Sequence, residues 1–488
     1  MKRLFIFMAF AALMSVTKNV YADSPFAGGD GTTEATAYLI ETAAQLDSVR
    51  NYIPQSNSST APIPYFKLMA DIDLSRPDNW TPLLGSNGGF IHFDGNLHII
   101  KNMRIVSDAN ITMPSLFGFA TGGSIKNLGL AGVYIDCPKS GAAGAFAGQV
   151  GHGGANPSAK QTCSMENCFA TGYVSCGGGK VGGIAGTVGR PTLNGASISC
   201  IKNCYFSGEV ENKYTGTAQT VRTGGISGDT YVNAQSGASA GNTVVSIQNC
   251  YAVGYFHAKQ GRVGGIVGEL TSKIQDCVAY ADLEIVSANT NDGIGLLAGY
   301  GINTGASNQM GTVDNCWAYT GATMKYAGDV VAPSNFASPA SGSTAPVDGT
   351  PKNAAFLSVA ANYAQLNIDA AVWSSQLRGI YPQLAWVAGR TDAEDIDGLS
   401  TPPSMPTGWD ATPAQAGDPG VFAAGNRIVF TGIREAYRVA VYDVRGKLLK
   451  SFEQNEDGAA MVGTDKDRFL IVKMVNSSGG VFVRKLVY

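Results

Sequence analysis

The sequence predicts an all-β protein whose body is a β-helix-like solenoid of glycine-rich repeats. Two short phrases alternate along the middle of the chain, and the strand that follows one of them has a small, apolar face. The chain also has 62 glycines, with 44% hydrophobic and only 15% charged residues. This composition suits many short strands that are joined by tight turns around a buried core.

The first phrase is Gly-Gly-Ile-x-Gly and the second is Asn-Cys-aromatic. Copies of the first begin at Gly182, Gly224 and Gly264, with degenerate copies at Gly144 and Gly295. Copies of the second begin at Asn167, Asn203, Asn249, Asp276 and Asn315, and an earlier copy has Leu128 in place of cysteine. The intervals of about 27 to 46 residues are typical of stacked supersecondary units, and no helical periodicity is present.

Side chains alternate between two faces in the strand that follows each asparagine. One face is small and apolar and begins with a cysteine, so we expect an inward ladder of buried free thiols. Its members are Cys168, Cys204, Cys250, Cys277 and Cys316. The opposite face begins with an aromatic residue, and we expect it to be a candidate ligand face or a stabilising ladder under a covering loop. Its members are Phe169, Tyr205, Tyr251 and Trp317.

The asparagines and the glycine pairs mark two corners of each coil. Asparagine tolerates the left-handed backbone conformation, and we expect it at one corner. We expect the glycine pairs to do the same at the other corner, where a Cβ would clash.

Four further cysteines lie in predicted corners and could form two disulfides. Cys137 and Cys176 follow strands of neighbouring copies, whereas Cys163 and Cys200 precede them, so the expected bridges are Cys137–Cys176 and Cys163–Cys200. No close Cys-x-x-Cys pair occurs and the four histidines are scattered, so we expect no metal and no cofactor.

The chain divides into six predicted segments. A signal peptide spans 1–22, an N-terminal cap spans 23–110, and the repeats span 111–330. The cap contains one short helix from Thr42 to Tyr52 with Thr42 as its N-cap. A loop and closing segment follow at 331–389, a linker at 390–424, and a small C-terminal β-sandwich at 425–488.

The repeat phrases resemble the GLUG repeat of bacterial surface and secreted proteins. The residues before them are similar to the segment that precedes such repeats, including Ala70–Leu74 (ADIDL) and Phe93–Asn96 (FDGN). The resemblance covers residues 24 to about 330 and departs from the family at Leu128 and Asp276. It implies a β-helix-like fold, often found in adhesins, and no catalytic residues.

The C-terminal end resembles the type A sorting domain of type IX secretion in Bacteroidetes. Val439–Leu449 (VAVYDVRGKLL), Phe469–Met474 (FLIVKM) and Val481–Val487 (VFVRKLV) carry this resemblance. It implies a tail that is recognised by secretion machinery at the outer membrane. Arg468 stands where the family usually has glycine.

Together these features predict a secreted, outer-membrane-associated adhesin or ligand-binding protein that is not an enzyme. The expected partner is an extracellular ligand, either a glycan or a host or matrix protein. The loops at 151–162, 189–199, 229–245 and 301–312 are the first candidate for its binding face, and the aromatic face that begins at Phe169 is the second. A net charge of −3 without a basic patch argues against nucleic acid.

Two alternatives stay open from the sequence. A polysaccharide lyase or hydrolase would use paired carboxylates, and Glu209 and Asp282 occupy the same outward position with Tyr255 between them. Two coil steps of about 4.8 Å would place these carboxylates near the far end of the spacing for inverting hydrolysis. The second alternative is a passive scaffold of the cell envelope with no specific ligand.

Overall fold

The computed structural model describes two regions of the chain. The first is 24–399 without 55–61, 76–78, 86, 152–160, 190–196, 217–220, 232–243, 290, 304–310, 336–337 and 341–342; the second comprises seven short stretches between 420 and 487. The predicted signal peptide, most of the four predicted loops and much of the predicted linker lie outside the described residues. Within those residues the protein is all-β, and no helix is both long and apolar enough to cross a membrane.

The N-terminal region already pairs its strands in parallel. Its strands are Tyr38–Ile40, Tyr65–Leu68, Ile72–Asp73, Gly89–Lys101, Arg104–Val106 and the long Phe119–Cys137. Tyr38–Ile40 pairs with Tyr65–Leu68, which pairs with Gly89–Lys101, which in turn pairs with Phe119–Cys137. The parallel arrangement therefore begins inside the segment predicted as a cap and continues into the repeats.

The helix of this region is shorter than predicted. It spans Ala43–Ser48 and continues as a 3-10 turn at Val49–Asn51. The Thr42 hydroxyl accepts the backbone N–H of Gln45, whose side chain accepts the N–H of Thr42, so the predicted N-cap is confirmed. A second 3-10 turn spans Glu34–Thr36.

Each repeat contributes up to four short strands. The first type comprises Ala142–Ala143, Lys180–Gly182, Arg222–Gly224, Arg262–Gly264 and Gly293–Gly295. The second comprises Ala147–Val150, Ala185–Val188, Ser227–Thr230, Val267–Leu270 and Ala298–Asn303. The third comprises Gln161–Glu166, Ser197–Lys202, Val244–Gln248, Lys273–Gln275 and Thr312–Asp314.

The fourth type, here called the front strands, follows each Asn-Cys pair. Its members are Phe169–Cys176, Tyr205–Asn212, Tyr251–Ala258 and Val278–Ile285, followed by Trp317–Tyr319 and Met324–Tyr326. Strands of each type pair in parallel with their counterparts in the next repeat, and the four long front strands pair without a register shift. Equivalent residues of successive repeats therefore form rows that run across the sheet.

The asparagine corners are left-handed, which confirms that prediction. The φ angle is 57° at Asn167, 53° at Asn203, 49° at Asn249, 52° at Asp276 and 48° at Asn315. The turn reverses the alternation of faces, so that the following cysteine side chain enters the core. The five ladder cysteines are all buried there.

The glycine pairs act through close packing rather than through a left-handed backbone. Gly182 and Gly183 do not have positive φ angles. A Cβ would lie 2.1 Å from the carbonyl oxygen of Ala185 at Gly182, and 2.2 Å from that of Gly225 at Gly183. The expectation of a clash is therefore confirmed, and the expected left-handed conformation at these glycines is wrong.

The repeats end in strands Asp329–Val331, Ser343–Val347 and Thr350–Lys352. Ser343–Val347 lies antiparallel to Ala298–Asn303, whereas Thr350–Lys352 lies parallel to Trp317–Tyr319. Residues 353–399, here called the strap, follow. The strap contains helices Ala354–Leu357, Ala385–Ala388 and Ala393–Ile396, the 3-10 helix Ala360–Leu366, and the hairpin strands Trp373–Arg378 and Tyr381–Leu384.

The C-terminal stretches form two antiparallel sheets. One contains Gly420–Ala424, Arg427–Thr431 and Gly458–Met461; the other contains Leu448–Gln454, Tyr437–Asp443, Phe469–Asn476 and Val481–Val487. Side chains from both sheets, among them Ile428, Phe430, Val439 and Leu470, share one buried hydrophobic cluster.

Candidate functional site

The outer face of the front strands is divided into two halves. Near the start of each strand the face is apolar and aromatic, and the strap packs over it. Toward the end of each strand the outward residues are tyrosines, carboxylates and a histidine, which are mostly half-buried. Only the second half is therefore available as a site.

The four residues of the predicted ligand face lie in the covered half. Phe169 and Tyr205 are 0% exposed, and Tyr251 and Trp317 are 2% exposed. Phe169, Tyr205 and Tyr251 stack in sequence at centroid distances of 5.1 and 4.9 Å. The expectation of an accessible ligand face is therefore wrong, and the row has the position of a stabilising ladder under a covering segment.

The strap runs back along the row of corner asparagines. The side chain of Asn315 donates to the carbonyl of Gln365, and that of Asn249 donates to the carbonyl of Asn367. Farther along, Asn203 accepts the indole N–H of Trp373 and Asn167 accepts that of Trp386. Each successive contact lies one or more repeats closer to the N-terminus, so the strap lies antiparallel to the direction of stacking.

Ion pairs hold the far end of the strap. Arg390 Nη2 lies 2.6 Å from Asp71 Oδ2, and Lys101 Nζ lies 3.2 Å from Asp392 Oδ2. The closing segment predicted at 331–389 thus lies along one face of the repeats rather than at their end. Residues 390–399 belong to the strap rather than to the predicted linker, because Ile396 and Leu399 are buried in the hydrophobic cluster that the strap shares with the front strands.

The open half consists of two rows, here called the outer strip. The first row contains Arg104, Tyr134, Tyr173, Glu209, Tyr255 and Asp282. The second contains Val106, Asp136, Ser175, Glu211, His257, Glu284 and Lys325. Register places these side chains together because the strands are parallel and neighbours lie about 4.8 Å apart.

Hydrogen bonds fix the side chains of the outer strip. His257 Nε2 lies 3.0 Å from Glu209 Oε1. The Tyr173 hydroxyl donates to Glu211, and the Tyr255 hydroxyl donates to Glu284. The rings of Tyr255 and His257 stack at 4.4 Å. A ligand would therefore meet carboxylates whose orientation is already set.

Burial raises the pKa of two tyrosines and one aspartate in the outer strip. It raises the pKa of Tyr173 and Tyr255, and the adjacent Glu211 and Glu284 carboxylates act in the same direction, so both phenols stay neutral donors. Burial also raises the pKa of Asp282, whose Oδ1 accepts the backbone N–H of Thr323 at 2.7 Å.

The carboxylate pair of the enzyme alternative lies in this strip. Glu209 and Asp282 both stand in register with Tyr255, as the sequence predicted. Tyr255 occupies the register position between them, and the His257 imidazole forms a hydrogen bond with the Glu209 carboxylate. The raised pKa of Asp282 suits a general acid. However, Asp282 is only 7% exposed, and its carboxylate accepts a hydrogen bond from the backbone N–H of Thr323.

One group in the strip has the residue types of a metal site. One ligand atom each of Glu209, Glu211 and His257 lies within 4.8 Å of the other two. Sequence reasoning missed this group because the four histidines were judged by their spacing along the chain. Aligning the repeat copies would have revealed it, since Glu211 and His257 are equivalent residues of adjacent repeats.

A second charged cluster lies on the glycine-phrase strands and is structural. Asp229 is 0% exposed and contacts Lys180 at 2.9 Å. Arg222 contacts Glu269 at 2.8 Å, and Arg262 also contacts Glu269. Buried carboxylates require such partners, and Lys180 and Arg222 each come from the repeat before the carboxylate that they contact. The network thereby links successive repeats.

Neither predicted disulfide is formed, since all nine cysteines are free thiols. Cys137 and Cys176 are register partners, and parallel neighbouring strands project their sulfurs side by side. Cys163 pairs with Ser199, whereas Cys200 pairs with Ser164, so the two cysteines are offset by one residue. One residue of offset sends their side chains to opposite faces, and the expected Cys163–Cys200 bridge is wrong.

Comparisons with known proteins show partial likenesses. No family model matches the chain. A stretch of 140 residues is 39% identical to the "Putative Gly-rich membrane protein" of Evansella cellulosilytica, covering 27% of this chain and only 15% of that protein. A solved structure described as "a putative immunoglobulin A1 protease from Bacteroides ovatus" matches with a TM-score of 0.57 and 25% identity, covering 75% of this chain and 99% of the other.

Proposed function

We propose that this chain is a secreted cell-surface protein that binds an extracellular glycan through the outer strip and does not catalyse a reaction. Its body would be a β-helix-like solenoid, and its C-terminal β-sandwich would be a sorting domain for export across the outer membrane. The observation that carries the proposal is the outer strip itself, where polar side chains with fixed orientation remain beside an aromatic row that the strap covers.

The chemistry of the outer strip suits a polyhydroxyl ligand. Carboxylates such as Glu209 and Glu284 accept hydrogen bonds from adjacent sugar hydroxyls, and the rings of Tyr134 and Tyr255 offer flat apolar surface. The first row crosses six strands, about 24 Å at the spacing of paired strands, which is long enough for several sugar units.

Parallel pairing supports the solenoid. Four kinds of strand each pair with their equivalents in the next repeat, and the cysteine ladder fills the space between them. The shared core of the two C-terminal sheets supports a sandwich. The proposed export signal rests on Lys2 and Arg3 followed by the apolar segment from Leu4 to Val16.

Glycan arrays with the fluorescently labelled protein test the proposal. Glu284→Gln removes the negative charge and one acceptor oxygen, and Tyr255→Phe removes the hydroxyl that donates to Glu284. We expect binding to fall about tenfold or more in each. Glu166→Gln is the matched control, because Glu166 is an exposed glutamate on a strand of the third type that pairs with Lys202. Loss of binding in the control as well would contradict a site on the outer strip.

Two further outcomes would replace the proposal. Cleavage of a bound polysaccharide that stops in Glu209→Gln and in Asp282→Asn would establish the enzyme alternative. No binding to any glycan, together with no cleavage, would leave the passive scaffold. Matrix proteins on the same array distinguish a protein ligand from a glycan.

A further inference from the structure

We infer that Glu209, Glu211 and His257 form a binding site for a divalent transition-metal ion. Glu209 and Glu211 stand two residues apart on one strand and project from the same face, and His257 is the register partner of Glu211 on the next strand. One ligand atom of each lies within 4.8 Å of the others. The inference does not depend on the glycan proposal, because it concerns the ion alone.

The residue types select the class of ion. Calcium and magnesium prefer oxygen ligands, whereas an imidazole nitrogen with two carboxylates suits zinc or manganese. Zinc bonds of about 2.0–2.2 Å in tetrahedral geometry place ligand atoms roughly 3.4 Å apart. His257 Nε2 and Glu209 Oε1 are already 3.0 Å apart, so side-chain rotation suffices to complete the site.

The neighbouring residues already orient two of the three ligands. The Tyr173 hydroxyl donates to Glu211, and the ring of Tyr255 stacks on His257. Metal sites generally depend on such outer contacts to hold ligands in place.

The charge of the outer strip also favours a cation. Its two rows carry five carboxylates, which are Asp136, Glu209, Glu211, Asp282 and Glu284. The cationic side chains on or beside the rows are Arg104, Lys213 and Lys325. Lys213 lies 2.8 Å from Asp136 and 3.8 Å from Glu211. The excess of carboxylates is greatest around His257, whose register partners are Glu211 and Glu284 and whose Nε2 atom contacts Glu209.

Calorimetric titration of the untagged, reduced full chain with ZnCl₂, and separately with MnCl₂, tests the site. We expect the wild type to bind one ion per chain. We expect His257→Gln and Glu209→Gln each to bind the ion about tenfold more weakly than the wild type, or not at all. His98→Gln is the matched control, because His98 Nδ1 also contacts a carboxylate, Asp71, at 3.2 Å. Unchanged affinity in this control is part of the expected result.

The nine cysteines require a second measurement. Cobalt bound by thiolates gives intense charge-transfer absorption, whereas cobalt bound by nitrogen and oxygen does not. We expect the spectrum without that absorption, and an unfolding temperature that rises with metal in the wild type but not in His257→Gln. Circular dichroism confirms that each variant is folded.

Three results would overturn the inference: no binding of either ion to the wild type, equal affinity in the wild type and the His257 and Glu209 variants, or a thiolate spectrum. In the first two cases the contact between His257 and Glu209 is an ordinary hydrogen bond.

Discussion

Two stacked tyrosines provide a direct test of how the strap is attached. Tyr205 and Tyr251 are adjacent in the covered row, and their rings are nearly parallel at 4.9 Å. The Tyr251 hydroxyl donates to the carbonyl of Pro382 in the strap at 2.6 Å. The Tyr205 hydroxyl is buried and has no hydrogen-bond partner among the described residues. Replacing each by phenylalanine removes the same atom with opposite expected consequences.

Tyr251→Phe should weaken the strap because it leaves the buried Pro382 carbonyl without its donor. An unsatisfied buried acceptor costs about 1–3 kcal/mol relative to the opened strap, in which water solvates the carbonyl. Opening should therefore become roughly 5- to 150-fold more frequent. Tyr205→Phe removes a hydroxyl that is already unsatisfied, so opening should stay unchanged or become rarer.

Hydrogen exchange measures this opening. The amide of Ala385 donates to the carbonyl of Val372 within the strap, so its exchange rate reports strap opening. The amide of Tyr205 donates to Cys168 between front strands and serves as the internal reference. Equal acceleration at Ala385 in both variants, or acceleration at the reference as well, would refute the idea that this hydrogen bond holds the strap.

Three more predictions concern the corners, the thiols and the strap anchor. Asn249 has a φ of 49°, so Asn249→Ala should lower the free energy of unfolding by about 1–2 kcal/mol more than Asn249→Gly; equal losses in denaturant titrations would exclude backbone strain. Cys200 is the half-buried thiol among otherwise buried ones, and a thiol reagent should modify it first in the folded protein; mass spectrometry identifies the residue. A hydrogen bond from Arg390 lowers the pKa of Asp392 to about 2, below the value near 3.9 of an unfolded chain, so its stabilisation is full above that value and is lost as pH falls toward 2. The protection of the Ala385 amide, relative to its intrinsic exchange rate at each pH, should fall over this range. Arg390→Met should weaken this dependence without abolishing it, because Lys101 also contacts Asp392.

The core of the repeats could be predicted because its rules are local. The left-handed corner at Asn203 and the inward direction of Cys204 follow from residue type and from alternation along one strand. Register between repeats followed from aligning the phrases, and it placed Glu209 and Asp282 correctly on either side of Tyr255.

The strap could not be predicted because its contacts are distant in sequence. Trp373 and Asn203 are 170 residues apart, and Trp386 and Asn167 are 219 residues apart. The strap sequence has no repeat phrase, so nothing in it indicates which face it covers. The candidate ligand face was wrong for the same reason: outward direction in a strand does not determine exposure when another segment packs on top.

The metal group was missed for a different reason. Glu209, Glu211 and His257 have no recognisable spacing along the chain, and their proximity depends on parallel register together with the lean of each side chain. The register could be predicted from the sequence. The side-chain orientations depend on contacts with Tyr173 and Tyr255, and those contacts are known only from the structure.

The position of the strap explains why the outer strip, rather than the aromatic row, is the better candidate for function. An uncovered row of Phe169, Tyr205, Tyr251 and Trp317 would be a contiguous apolar patch, which exposed surfaces seldom tolerate. Covering it also gives the corner asparagines their partners, which glycine at the same left-handed positions could not provide. The strap covers the half of the face that needs burial and stops short of the half whose side chains can remain in water. The surface that is left open is therefore the one with hydrogen-bonding and ion-binding groups, and substitutions there should change binding while leaving strap opening unaltered.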